Sequence, residues 1–138
     1  PNQYPEKLIP KFIKLLKEGK RVTIQGDGSN VRGFLHVYDV ARAIEAILTK
    51  GKVGEIYNIG SDPEDEFTVL DIAKGIITLV KTPERFEEES DFKKYIKYVE
   101  DRPFNDKRYF ISNQKLKDLG WSITIPFIEG LAALVIAN

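Results

Sequence analysis

The chain has no cysteine and no methionine among its 138 residues, and only one histidine and one tryptophan. The first absence removes disulfides, thiolate metal sites and cysteine nucleophiles together, and it suits a reducing cytoplasm. A single histidine, His36, cannot build a zinc cluster; lying in an alternating strand pattern, it reads as a packed or surface residue and not as a general base. Charge of one sign is also lacking. The 21 basic and 21 acidic residues sum to zero, so no general field draws nucleic acid or an anionic membrane, and any anion binding has to be local. No apolar run reaches the ~18–20 residues that span a bilayer, and the first residues show no signal-peptide pattern, which predicts a soluble, cytoplasmic protein. A chain that opens at Pro1 without any methionine is expected to be an excised, processed or engineered piece. No repeat, low-complexity tract or linker divides it, and its length suits one domain burying about two thirds of its unfolded surface.

What is present is organised around Gly26-Asp27-Gly28-Ser29-Asn30-Val31-Arg32-Gly33-Phe34-Leu35-His36-Val37-Tyr38-Asp39. Gly26 and Gly28 follow the β-rich run 21–25, so the spacing predicts a tight hairpin joining that strand to a second at 31–37. Arg32 lies beside small residues where a planar guanidinium can meet a phosphate or carboxylate with paired donors; a solvated strand residue is the other reading. Neither phosphate-loop motif fits. Val31 stands where G-x-G-x-x-G needs its third glycine, and Phe34-Leu35 replaces the Lys-Ser/Thr of a Walker loop.

Residues 5–17 read as a helix with Leu8, Phe12, Leu15 and Leu16 inward, starting near Lys7 because Pro10 is tolerated only in a first turn. Asp39 precedes Val40, Ala41, Ile44, Ile47 and Leu48, whose spacing makes one apolar helical face, and it is placed as an N-cap or first-turn acid. Residues 55–59 form a buried strand candidate with Asn58 near its end, suited either to recognising a ligand or to capping a turn. Thr68 and Asp71 resemble a capping box opening a helix through Val80, which Gly75 weakens by about 1 kcal/mol relative to alanine. The acidic stretch 83–90 reads as a solvated loop and not a metal site, 95–99 as a strand, and 102–106 as a turn carrying a second arginine, Arg102. Ser112 caps a short helix ended by Gly120, Trp121 is core, and 126–138 is a helix apolar nearly all round, which needs a partner surface. The pattern is mixed α/β or α+β.

Four blocks in order, Pro1-Asn2-Gln3-Tyr4-Pro5-Glu6-Lys7-Leu8-Ile9-Pro10, then Gly26 to Asp39, Tyr57-Asn58-Ile59-Gly60, and Asp101-Arg102-Pro103-Phe104-Asn105-Asp106-Lys107-Arg108-Tyr109, give the chain a specific likeness. It resembles the C-terminal half of nucleotide-sugar 4,6-dehydratases of the extended short-chain dehydrogenase/reductase group, nearest to the UDP-glucose and dTDP-glucose enzymes. The resemblance implies the C-terminal portion of that fold without a complete Rossmann domain: residues 1–138 as one nucleotide-sugar-binding domain, with about 37–60 resembling the end of the Rossmann half. Such enzymes oxidise the sugar at C4, eliminate water across C5 and C6 and return the hydride to C6, using NAD held by the Rossmann half.

The family's Tyr-x-x-x-Lys pair, its acidic pair and its nicotinamide fingerprint are absent, so this chain is expected to hold no cofactor in the family manner and to be inactive alone. The substrate side remains. By resemblance, Asn2, Lys7 and Leu8 lie along the sugar diphosphate and base, Thr23 and Gln25 line the base slot, Arg32 and Arg102 pair with the diphosphate, and Asn58, Asn105 and Tyr109 complete the pocket. Thr23 and Gln25 stand where the family commonly carries proline and an aromatic residue, Gly33 replaces a polar residue, and Arg102-Pro103-Phe104-Asn105 is closer to the UDP-glucose form. The expected partners are a nucleotide diphosphate sugar and either a second copy or the missing Rossmann half, with no nucleic acid or membrane. The alternatives are a non-catalytic or engineered scaffold with a vestigial pocket, or the same half of a related nucleotide-sugar epimerase.

Overall fold

The computed structural model describes residues 3–137. It is a mixed α/β chain that separates into two compact units, one of Pro1–Asn30, Thr68–Lys107 and Leu131–Asn138, the other of Val31–Phe67 and Arg108–Gly130.

The first unit is built on helix α1 (Leu8–Lys17), helix α3 (Val69–Val80) and strand β1 (Val22–Gln25). Pro10 falls in the first turn of α1, where its missing amide hydrogen leaves no helical bond unmade. The buried face is Ile9, Phe12, Ile13 and Leu16, rotated from the expected one so that Leu8 and Leu15 are only half-buried. Helix α3 opens with the expected capping box: the Thr68 hydroxyl accepts from the Asp71 amide at 3.0 Å, and the Asp71 carboxylate accepts from the Thr68 amide at 3.2 Å. Ile72, Ala73, Ile76 and Ile77 of α3 are buried with Val22 and Ile24 of β1, and Leu131 and Val135 of helix α6 (Phe127–Ala137) complete this core.

The expected hairpin does not form. Gly26 and Gly28 do take positive φ, +59° and +76°. Strand β1, however, pairs in parallel with β4 (Ile96–Val99), which follows the short helix α4 (Glu89–Phe92), in the register Val22↔Ile96 to Gln25↔Val99. Strand β2 stops at Gly33 (Val31–Gly33) and pairs with β3 (Glu66–Thr68). The turn therefore sends the chain away from β1, because a strand more than 70 residues downstream supplies the ladder that the turn was expected to close.

In the second unit, helix α2 (Val37–Lys50) starts where the second strand was expected to end, with His36 as N-cap: its Nδ1 accepts from the Tyr38 amide at 3.2 Å. A small core of Ala43, Leu116 of helix α5 (Gln114–Asp118) and Trp121 is edged by Leu35, Ala46, Ile47, Tyr57, Ile59 and Ile123. The expected apolar face of α2 is not buried as a whole. Val40 and Ile47 are half-buried, while Ala41, Ile44 and Leu48 are exposed. Residues 55–59 are not a strand, since no neighbouring strand pairs with them among the described residues, and Ile56 is exposed. Asn113 occupies the N-cap of α5, although the Ser112 hydroxyl accepts from the Gln114 amide at 3.3 Å as an ST-turn would.

Candidate functional site

The expected contact residues fall into two groups, one in each unit, and Asn2 lies outside the described residues. In the second unit, three segments close on one another at glycines. A Cβ on Gly33 would collide with the Ser61 hydroxyl, and one on Gly60 would lie 2.8 Å from the Ile111 carbonyl oxygen. Asn113 fastens the same segments, its amide donating to the Gly60 carbonyl at 3.2 Å and to Asp62 at 2.6 Å. Lys117 meets Asp62 at 2.8 Å. Burial of Asp62 opposes its ionisation, but the bonds from Asn113 and Lys117 outweigh it and hold the carboxyl below its ordinary range.

These contacts tie β2 with Arg32, the loop with Asn58 and the segment with Tyr109 into one unit. The Arg32 guanidinium sits 5.0 Å from the centre of the Tyr109 ring and donates to the Val31 carbonyl at 2.7 Å. An aromatic face attracts the cation without neutralising it. Arg108 is different: it grips Glu66 through both nitrogens, at 3.2 and 2.5 Å, holding that carboxyl low and pairing off its own charge. Asn58 is exposed.

In the first unit, Gln25 ends β1 on the face opposite Val22 and Ile24, with Thr23 beside it on the same side. Its side-chain oxygen accepts from Arg102 Nε at 2.8 Å. Asp101 gathers the following turn, accepting from the Arg102 amide and from the Asn105 side chain, both at 2.8 Å. Asn30 donates to the Asp106 carbonyl at 3.1 Å. Gln25, Arg102 and Asn105 thus come together around Asp101. Lys7 is the exposed N-cap of α1, and Leu8 is half-buried in its first turn.

The Gly26–Gly28 turn cannot serve as a dinucleotide cradle. It leads into β2 and not into a helix N-terminus, and its Gly26 amide is already given to the Val99 carbonyl at 3.0 Å. That turn therefore does not fit the pyrophosphate of NAD. Among the described residues no cluster of three His, Asp or Glu side chains could hold a metal, and no helix is long and apolar enough to cross a membrane. A cleft of about 210 Å3 is lined by Arg42, Glu45, Thr49, Lys50 and Trp121 and contains none of the expected contact residues.

The first 60 residues match the NAD dependent epimerase/dehydratase family. Similarity to individual proteins runs much further along the chain. A trifunctional UDP-glucose 4,6-dehydratase/UDP-4-keto-6-deoxy-D-glucose 3,5-epimerase/UDP-4-keto-L-rhamnose-reductase of Arabidopsis thaliana is 51% identical over 131 residues, which is 95% of this chain and 18% of that protein. The crystal structure of dTDP-glucose 4,6-dehydratase from Bacillus anthracis with NAD superposes with a TM-score of 0.83 at 41% identity, over 99% of this chain and 40% of that one. UDP-glucuronic acid 4-epimerase from Bacillus cereus, with UDP-glucuronic acid and NAD, gives 0.80 at 27% identity, again over 99% and 40%. The chain has the mixed α/β fold of these short-chain dehydrogenase-like enzymes and spans well under half the length of each.

Sequence reasoning missed three contacts that shape the candidate residues: Gln25 with Arg102, Arg108 with Glu66, and the buried Asp39. The Asp39 side chain is 0% exposed. It accepts from the Thr124 hydroxyl at 2.7 Å, from the Thr124 and Ile125 amides at 3.2 and 3.0 Å, and from Arg42 at 2.9 Å. The one available hint was Gln25 itself, an amide where the resemblance leads one to expect an aromatic ring.

Proposed function

We propose that this chain is the nucleotide-sugar-binding, C-terminal portion of an NAD-dependent UDP-glucose 4,6-dehydratase, and that it does not turn over by itself. By the resemblance, Asn2, Lys7, Leu8, Thr23, Gln25, Arg32, Asn58, Arg102, Asn105 and Tyr109 are the candidate residues of its nucleotide-sugar side. The observation that carries the reading is how Arg102, one of the two arginines assigned to the diphosphate, is held: its Nε donates to the neutral Gln25 amide, a contact that leaves the guanidinium its charge. The 51% identity to an enzyme named for UDP-glucose, together with Asn105 in the Arg-Pro-Phe-Asn block, favours UDP over dTDP.

NAD and the reacting groups then come from the part of the relatives that this chain does not span. The exposed stripe of α2, with Val37, Ile44 and Leu48, supports that division, because an apolar helix face of this kind is normally covered.

The test is a melting series with excess UDP, dTDP and NAD. A ligand at ~100-fold its Kd stabilises by about 2.7 kcal/mol, a shift of a few degrees. UDP is expected to raise the midpoint more than dTDP, NAD to leave it unchanged, and Arg32→Ala or Arg102→Ala to reduce the UDP shift. No shift with either nucleotide would identify a scaffold with a vestigial pocket. A conversion of UDP-glucose by the chain with added NAD would overturn the claim that it is inactive alone.

A further inference from the structure

We propose that Gln25 is a positioning residue that presents Arg102 to a diphosphate, and that it is not a contact to the base. The proposal rests on the substrate-side reading above and assigns Gln25 a different task within it.

Gln25 is the last residue of β1, pinned opposite Val99 by the parallel ladder. Its Oε1 accepts from Arg102 Nε at 2.8 Å. A guanidinium is a rigid planar fork, so fixing Nε fixes the plane and leaves the terminal nitrogens at the far end as the pair that meets phosphate oxygens. The main chain of Arg102 is fixed as well, its amide donating to Asp101 Oδ1. Gly26 permits this closure: a Cβ there would lie 3.0 Å from Asp101 Oδ2, so glycine lets the Asp101 carboxylate sit against the end of β1.

The nature of the acceptor matters. Asp101 bonds the main chain of Arg102, and Gln25 bonds its side chain. Asp101 is occupied with the Arg102 amide and the Asn105 side chain, and Gln25 is neutral, so the fork is held without a carboxylate as its anchor. Arg108 shows the opposite arrangement, its guanidinium closed on Glu66. A phenyl or indole ring at position 25 could stack on a base but has no oxygen to accept from Nε. The Gln25 amide supplies that oxygen and shifts the task of the position from base to phosphate.

The experiment is an NMR titration of the full chain with uridine and with UDP, comparing the unmodified protein with Gln25→Met, Gln25→Glu, Arg102→Ala and Gln25→Met/Arg102→Ala, each checked for an unchanged melting temperature. Gln25→Met is expected to weaken UDP about 10-fold, the worth of one charge-assisted hydrogen bond, and uridine less than about 2-fold. In the Arg102→Ala background it is expected to weaken UDP no further. The Arg102 Nε–H signal should be protected from exchange in the unmodified chain and in Gln25→Glu, and lose that protection in Gln25→Met. Gln25→Glu should nevertheless bind UDP weakly, because its carboxylate cancels the guanidinium charge. Equal losses for uridine and UDP would return Gln25 to the base slot and overturn the proposal, as would a further 10-fold loss in the Arg102→Ala background. UDP binding that Gln25→Met leaves unchanged would overturn this proposal alone, while no UDP binding by the unmodified chain would overturn the substrate-side reading and this proposal with it.

Discussion

Helices α2 and α3 carry similar apolar patterns and are held in opposite ways. Helix α3 buries Ile72, Ala73, Ile76 and Ile77, as its period of 3.6 asks. Helix α2 buries only Asp39 and Ala43, and leaves Val37, Ile44 and Leu48 exposed at 69, 47 and 81%. Ala43, Ala46 and Ile47 give it a small apolar contact with Leu116 and Trp121, and what fastens its first turn is polar. The Asp39 carboxylate joins its first turn to the Thr124–Ile125 backbone and to Arg42, and Trp121 donates to the Asp39 carbonyl at 3.0 Å. An amphipathic pattern therefore states that a helix has a face to cover, without stating that the covering surface belongs to the same chain.

The contrast is broken most severely in α3. Ile76→Ala, at a fully buried position, is expected to cost about 2–5 kcal/mol in urea unfolding, the lost transfer energy plus the cavity it leaves. Asp39→Ala is expected to cost about 3 kcal/mol, because it strands buried amides and the Arg42 guanidinium. The two should part in acid. Burial opposes ionisation of Asp39, but the Thr124, Ile125 and Arg42 hydrogen bonds outweigh it and hold the carboxyl below its ordinary range. A carboxyl whose folded pKa is depressed stabilises the fold fully above its unfolded value, ~3.9, and loses that contribution as the pH falls through the folded value. The unmodified chain should therefore lose stability below about pH 4. Asp39→Asn should flatten that acid limb, and Ile76→Ala should keep it. An acid limb identical in all three proteins would show that Asp39 is not what holds α2.

The same contrast marks what the sequence made legible. Helix α3 was readable to its capping box because Thr68, Asp71 and the apolar repeat are local signals, three or four residues apart. The ends of α1 and the start of α6 were readable for the same reason. The hairpin at Gly26 failed because a positive φ says that the chain turns, while the partner of β1 lies in residues 96–99, and nothing local to the turn specifies it. Asp39 was legible as a first-turn acid, but its main partner is 85 residues away. Among the candidate contacts, Arg32 and Arg102 could be singled out from the sequence around them. Their holders, the Tyr109 ring and the Gln25 amide, depend on tertiary placement that no spacing encodes.

Two smaller substitutions sharpen the comparison from the other side. Gly75→Ala should raise the stability of α3 by about 1 kcal/mol, since alanine has the better helix propensity and its Cβ would meet Leu131 Cδ2 at an ordinary 3.6 Å.

Leu48→Lys should change stability by less than about 0.5 kcal/mol in the isolated chain, because an 81% exposed side chain has little buried area to lose. Its effect should appear instead in the fluorescence of a dye that binds apolar surface, which is expected to fall as the α2 stripe is interrupted by charge. A loss of several kcal/mol on Leu48→Lys would mean that the stripe is already covered within this chain, and the division of labour between a polar anchor for α2 and an apolar one for α3 would have to be abandoned. Unchanged stability with lower dye binding would leave Asp39 as the group that holds α2 and its apolar face as surface available to another part of a longer protein.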